Sequence, residues 1–237
     1  MMTHVQRMPE EVYRAKRDEV VLDVGASKGD FATLIFEDMP SRVVCVEASP
    51  RHIPALKSCL QVLNERRGQV VYEVVDRALV GSRSGDVVEC RGDLYWNSEC
   101  AYVVPGKTTS DASLDSARTM TFSDLVSETK LNKIDFMKMD IEGCEFDIML
   151  NEEEFTKLSQ KIDRCIFEMH LHYLRDVLGI SPSDAISALR HVIDRLQVSG
   201  FDVMLSHGRD RHGRPLPFHD LTNDVYCIDL FAQRQVR

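Results

Sequence analysis

Residues 19–24 (EVVLDV) form a short apolar run that ends at an acid and a glycine, the pattern of a buried strand. Phe31, Leu34 and Ile35 then recur at helical spacing after Gly29. A second run, 42–47 (RVVCVE), also ends in an acid, and Ser49 and Pro50 follow as expected cap and first helical residue. Ile53, Leu56 and Leu60 mark the inward face of that helix, and 69–75 reads as a third strand. Strand, helix, strand, helix, strand in this order implies right-handed crossovers and a parallel sheet.

Residues 81–119 break the pattern. They are rich in Ser, Thr, Gly and Asp, with short alternating pieces at 86–90 and 101–104, and read as a small β excursion on the same domain. The buried-strand pattern resumes at 134–141 (IDFMKMDI), with a helix from near Gly143 and a further strand at 161–169. Ser181-Pro182-Ser183-Asp184 is a capping box for a helix whose Ile186, Leu189, Ile193 and Leu196 point one way, and Gly200 closes it. Two last strands, 201–206 and 223–231, flank a polar loop at 207–222 and form an expected antiparallel hairpin. The fold class is therefore α/β: one domain over 1–237, with a Rossmann-like, doubly wound, mostly parallel sheet, a terminal antiparallel hairpin and a small β excursion. Residues 1–18 are an N-terminal extension.

Composition changes this little, since 43% hydrophobic and 28% charged residues are ordinary for a globular chain. Net charge matters more. At −9 it argues against a partner bound through its phosphate backbone, so no nucleic acid is expected. Eight acids and one base fall within 135–154, which concentrates the excess at the fourth long strand and its helix. The apolar runs at 20–24 and 43–46 are far short of the ~20 residues that span a bilayer. The N-terminal stretch lacks the apolar core and small-residue cleavage site of a signal peptide. Seven cysteines without a CxxC pair read as reduced thiols rather than a zinc or disulfide framework. A cytoplasmic protein without a membrane partner is expected.

The turn Asp23-Val-Gly25-Ala-Ser27-Lys-Gly29 joins the first strand to the first helix, where backbone N–H groups and the helix dipole meet a ligand. Three readings compete. The dinucleotide fingerprint of an NAD-dependent oxidoreductase needs glycines where Ser27 and Asp30 stand. Gly25-x-Ser27-x-Gly29 matches the nucleophile elbow of a serine hydrolase, but too few strands precede it to supply an oxyanion hole. The third is the acid-x-Gly-x-x-x-Gly turn of S-adenosylmethionine enzymes, with Asp23 and the loop facing the methionine part of the cofactor. Glu47, 22 positions after Gly25, is then placed to accept both ribose hydroxyls. The plain alternative for Glu47 is a solvated acid before a helix.

Lys138-Met-Asp140-Ile-Glu142-Gly143-Cys-Glu145, with Asp23-Val-Gly25-Ala26, resembles the FkbM-type methyltransferase family, whose pattern at this strand is K-x-D-x-E-G-x-E. The resemblance runs from about Val20 to His170. It implies a class I methyltransferase fold, S-adenosyl-L-methionine as cofactor, S-adenosylhomocysteine as product, and transfer of methyl to oxygen. By the resemblance Gly25, Ala26, Ser27 and Glu47 fall on cofactor-binding positions, and Asp76, Arg77 and Ala78 lie near the adenine. Asp23, Gly29, Ala48 and Asp140 complete the expected cofactor set. Ser27 stands where the family often has Asn, and Glu47-Ala48-Ser49 where Glu-Pro is usual.

In an extended strand Lys138 and Asp140 share one face and should pair, because an isolated buried charge is costly. Glu142 and Glu145 open the next helix, where the plain reading is dipole compensation worth ~0.3–1 kcal/mol each. Glu168, His170 and His172 end the fifth strand on one side. The expected catalytic set is Asp140, His170 and Glu168: Asp140 or His170 accepts the hydroxyl proton and Glu168 orients His170. His and carboxylate are standard metal ligands, but strict ligand spacing is missing and no metal is expected. The acceptor, a small molecule or sugar, would meet the excursion (Trp96, Tyr102) and the 207–222 loop (Arg209, Arg211, Arg214), with His212 and His219 on the surface. The competing function is a module that binds the cofactor without catalysis.

Overall fold

The structure is a computed structural model that describes residues 10–82, 84–92, 101–108, 116–206, 208–209, 214–216 and 225–235. Trp96, Arg211, His212, His219 and residues 1–9 of the N-terminal extension lie outside the described residues. The order is β1 (Val20–Val24), α1 (Asp30–Leu34), β2 (Arg42–Glu47), α2 (Ile53–Arg67), β3 (Tyr72–Asp76) and β4 (Ala78–Leu79). Next come β5 (Val87–Gly92), β6 (Ala101–Thr108), β7 (Ser116–Met120), α3 (Phe122–Thr129), β8 (Ile134–Met139), α4 (Glu145–Leu150) and α5 (Glu152–Lys161). The chain ends with β9 (Ile162–Met169), α6 (Pro182–Val198), β10 (Phe201–Leu205), β11 (Gly208–Arg209), β12 (Pro215–Leu216) and β13 (Ile228–Arg234).

The main sheet has seven strands in the order β10-β13-β9-β8-β1-β2-β3. β3, β2, β1, β8 and β9 pair in parallel, while β13 is antiparallel to both β9 and β10. The terminal pair is thus a hairpin, as expected, with its second strand inserted between β9 and the edge strand β10. Period-two alternation divides the core. Leu22, Val24, Val44 and Met139 face one layer with α3 to α6. Val21, Val43, Cys45 and Phe136 face the other with α1 and α2. From β1 the chain passes to β2 on one side and later returns to β8 on the other. The carboxyl ends of β1 and β8 therefore flank a topological switch point, where open α/β sheets hold ligands.

The described residues within 81–119 include β5, β6 and β7, part of a second sheet ordered β4-β7-β5-β6, in line with the expected β excursion. Its apolar underside (Val80, Val88, Cys90, Ala117) packs on Cys144, Ala48 and Ile141, at the mouth of the switch point. The Asp147 carboxylate accepts from Gly81 N at 2.5 Å and Asn151 Nδ2 donates to Gly81 O at 2.6 Å, fastening the excursion to the segment after β8.

Three local expectations need correction. α2 starts at Ile53 with His52 as cap, because Ser49 is used in a turn: its N–H bonds Glu47 and its carbonyl accepts from His52 and Ile53. β3 begins at Tyr72 rather than 69, since the Asn64 side chain takes the N–H groups of Val71 and Tyr72. The helix near Gly143 is two helices, broken at Asn151, whose side chain caps α5. Ser181 caps α6 as expected, accepting from Asp184 N at 3.2 Å. Among the described residues no helix is long and apolar enough to cross a membrane.

Candidate active site

The turn after β1 can approach β8 only because Gly25 has no side chain. Gly25 adopts φ +81°, and a Cβ there would lie 1.7 Å from the Asp140 carbonyl oxygen. Asp140 N donates to Val24 O at 2.9 Å, and Gly25 N and Ala26 N both donate to Val46 O. Glu47 then ties two loops together: Oε2 accepts from Ser27 N and Oε1 from Ser49 N, each at 2.7 Å. His52 Nδ1 stands 3.5 Å from the same carboxylate. Glu47 is therefore not the solvated acid of the plain alternative.

Between these loops, the root of the excursion and the β8–α4 turn lies an open cleft of about 180 Å³. Of the expected cofactor set, Gly25, Ser27, Glu47, Ala48, Arg77, Ala78 and Asp140 line it. The others do not. Asp23 and Ala26 are buried beneath the loop. Gly29 packs on α2, where a Cβ would meet Cys59 Sγ at 2.8 Å. Asp76 is half exposed, 3.8 Å from Lys57. Glu142, singled out by the second motif, also lines the cleft, as do His52, Leu79, Ile141 and Cys144, for which no functional role was expected.

Asp23 and Lys138 are register partners on adjacent strands. Asp23 is fully buried, neither carboxylate oxygen has a hydrogen bond, and Lys138 Nζ is 3.7 Å away. Burial pushes the Asp23 pKa up to about 6, against the pull of Lys138. Lys138 also lies 3.3 Å from Asp140 Oδ2, and with His170 it holds Asp140 below the usual range despite burial.

The ends of β8 and β9 bring the expected catalytic residues together around His170, which is 1% exposed. Its Nε2 faces Glu142 at 3.3 Å, Glu168 at 3.7 Å and Asp140 at 3.9 Å. Its Nδ1 lies 3.0 Å from Glu145 Oε1. The carboxylate nearest the ring is Glu145, while Glu168, at 3.7 Å from Nε2, also pairs with Arg209 at 2.9 Å. The reason is tertiary: Glu145 turns inward from the start of α4 instead of facing solvent. Burial alone would lower the His170 pKa, but Glu142 and Glu145 carry it well above the ordinary value. Carboxylates at both ring nitrogens thus favour the protonated ring. Burial, then Asp140, raises the Glu168 pKa. His172 is stacked on Tyr226 at 3.6 Å, and burial, then His170, lowers its pKa to about 3.

Arg209 reaches the site through Glu168 and Asp229, whereas Arg214 is exposed. Tyr102 lies in β6. Ligand atoms of Asp140, Glu145 and His170 lie within 4.8 Å of one another, the spacing of a cation site. Glu145 accepts from Ile141 N and Gly143 N at 2.8 Å each as well as meeting His170, whereas Asp140 stands 3.9 Å from the ring.

The sequence profile of the Methyltransferase FkbM domain matches residues 23–203. The chain belongs to the FkbM methyltransferase family. That assignment takes Ser27 out of the hydrolase reading and the glycine turn out of the dinucleotide one. Among solved structures, the FkbM methyltransferase of Methylobacillus flagellatus KT is 17% identical, with 92% of this chain and 44% of that chain covered and a TM-score of 0.52. The likeness shows the same class I methyltransferase fold, and this FkbM chain spans less than half the length of that relative. An O-methyltransferase from Bacillus cereus in complex with SAH is 13% identical over 92% of this chain and 74% of that one, TM-score 0.49. The Methanococcus jannaschii fibrillarin pre-rRNA processing protein is 12% identical over 99% and 72%, TM-score 0.49. Comparison with curated protein sequences returns no match.

Proposed function

We propose that the protein transfers a methyl group from S-adenosylmethionine to a hydroxyl of a small molecule or sugar, releasing S-adenosylhomocysteine. The observation that carries this is a cleft that has Gly25, Ser27 and Glu47 on one wall and Asp140 on the other, beside the carboxylates around His170. The residues fit the cofactor. The Gly25 turn lies against the Asp140 backbone and opens the cleft beside it, Glu47 lines the cleft with a lone pair of Oε2 still unused, and the orphaned Asp23 carboxylate lies just behind. S-adenosylmethionine, when bound, supplies a methyl group on a positively charged sulfur.

Around that charge the protein offers carboxylates at Asp140, Glu142 and Glu168, each partly exposed, with the His170 ring behind them. They accept hydrogen bonds from acceptor hydroxyls and favour a cation, whereas a polyphosphate such as nucleic acid would meet like charge. Holding the hydroxyl in line with the methyl group contributes up to ~7–11 kcal/mol. Asp140 takes the hydroxyl proton as the oxygen–methyl bond forms and the sulfur–methyl bond breaks. A carboxylate of low pKa suffices, because an oxygen that has shared its lone pair with carbon becomes a strong acid.

Titration calorimetry with S-adenosylmethionine, S-adenosylhomocysteine and NAD tests the first half. The first two should bind and NAD should not; no binding of S-adenosylmethionine would sink the reading. Mass spectrometry with methyl-labelled cofactor and a panel of sugars and phenols tests the second. Binding without label transfer to any hydroxyl would favour the non-catalytic module.

A further inference from the structure

Glu145 occupies the first position of α4, where an acid ordinarily faces water. Here it is fully buried, and its carboxylate has three partners from two parts of the chain. Oε1 accepts from Ile141 N and Oε2 from Gly143 N, both at 2.8 Å, which fixes the turn between β8 and α4. That turn carries Glu142 at φ +55° and Gly143 at φ +119°, and a Cβ on Gly143 would fall 2.0 Å from the Tyr173 ring. The third partner is His170 Nδ1 at 3.0 Å, from the end of β9. One buried carboxylate thus joins the cofactor-side turn to the strand end on the acceptor side.

Which ring nitrogen faces the cleft follows from this contact. A carboxylate at Nδ1 fixes the proton there and leaves Nε2 pointing at Glu142, Glu168 and Asp140. We propose that Glu145 is a positioning residue for methyl transfer: it holds His170 by Nδ1, so that Nε2–H faces Asp140 and Glu142 and keeps both ionised and aimed at the acceptor. The other groups around the ring are His172 at 5.6 Å and Tyr226 at 6.3 Å between ring centres. Lys138 pairs with Asp140 and Arg209 with Glu168, the carboxylates that face Nε2. The kinetic half of this rests on the methyltransferase reading; the arrangement of Glu145 and His170 does not.

The test is the histidine nitrogen spectrum of ¹⁵N-labelled protein, assigned with His170→Gln, recorded for wild type and Glu145→Gln between pH 5.5 and 9. Wild-type His170 should keep both nitrogens protonated across this range, and in Glu145→Gln it should titrate within it. Turnover of Glu145→Gln should fall about 100-fold, the cost of a misplacement near 1 Å, with its pH profile displaced and KM for S-adenosylmethionine changed less than about threefold. A neutral His170 in the wild type at pH 7 overturns the proposal even if Glu145→Gln does not fold. So does a variant whose His170 spectrum and pH profile match the wild type. Addition of Mg²⁺ or Mn²⁺ that moves the His170 signals also overturns it, by making the trio a cation site. Calorimetry with S-adenosylmethionine on the same samples reports separately on the parent reading.

Discussion

Asp23 costs the folded protein stability, and the amount can be worked out. Its carboxylate is fully buried, lacks hydrogen bonds and has only Lys138 at 3.7 Å for compensation. Its pKa rises from 3.8 to about 6 on folding, which at about 1.4 kcal/mol per tenfold is ~3 kcal/mol. The sign is set by linkage. A carboxyl whose folded pKa is raised binds its proton more tightly in the folded state, so the penalty is absent below pH 4 and complete above pH 6. Asn has the shape of the protonated acid, so Asp23→Asn should gain up to ~3 kcal/mol at pH 7 and almost nothing at pH 4. Urea unfolding of both proteins from pH 4 to 8 measures this, because titrating groups that do not interact with Asp23 cancel between the two curves. A loss of stability at pH 7, or a difference that does not change with pH, would show that the Asp23 carboxylate carries no such penalty. The retained cost points to function: an ionised Asp23 behind the cleft favours a cationic ligand, so the stabilised variant should bind S-adenosylmethionine more weakly.

Gly25→Ala must move either the turn or Asp140, since its Cβ would lie 1.7 Å from a carbonyl oxygen at φ +81°. It should lose cofactor binding in calorimetry and about 1–2 kcal/mol or more in unfolding. Asp140→Asn should reduce turnover by ~100-fold or more in a labelled-methyl assay, and full turnover would remove Asp140 from the base role. His172 stays neutral in the folded state to about pH 3, whereas unfolded histidine takes a proton near 6.5. Its contribution is therefore present above pH 6.5 and is lost as pH falls, by up to about 5 kcal/mol. His172→Phe keeps a ring against Tyr226, so its acid unfolding midpoint should fall to lower pH, and an unchanged midpoint would count against this assignment.

Much of the architecture was legible because buried parallel strands announce themselves locally. Arg42–Glu47 begins and ends where its apolar run does, and Ser181 caps its helix through contacts three residues away. Local signals also misled where a side chain had a distant use. Ser49 looked like a helix cap but serves the Glu47 turn. Thr121 and Asp124 form a capping box for α3, a signal of the same kind as the one at Ser181 that went unread. In the site, Gly25, Ser27, Glu47 and Asp140 were found because spacing along the strand ends places them in one crevice. Asp76, also chosen by position after a strand, points away toward Lys57.

By itself the sequence determined the succession of parallel strands and helices in the first third, the turn that must contain glycine and the family pattern at Lys138–Glu145. Each of these depends on neighbours within a few residues, or on strands that pair in chain order. Only the tertiary structure decided which acid holds His170. Glu145 and Glu168 are both plausible by distance along the chain, but the first is turned inward beneath its own helix and the second is drawn to Arg209. That choice also bears on the charge of His170, because burial favours the neutral imidazole while carboxylates from the β8–α4 turn, α4 and β9 favour the cation. Charge state depends on what surrounds a group in space, and the order of residues along the chain carries too little of that to reveal it.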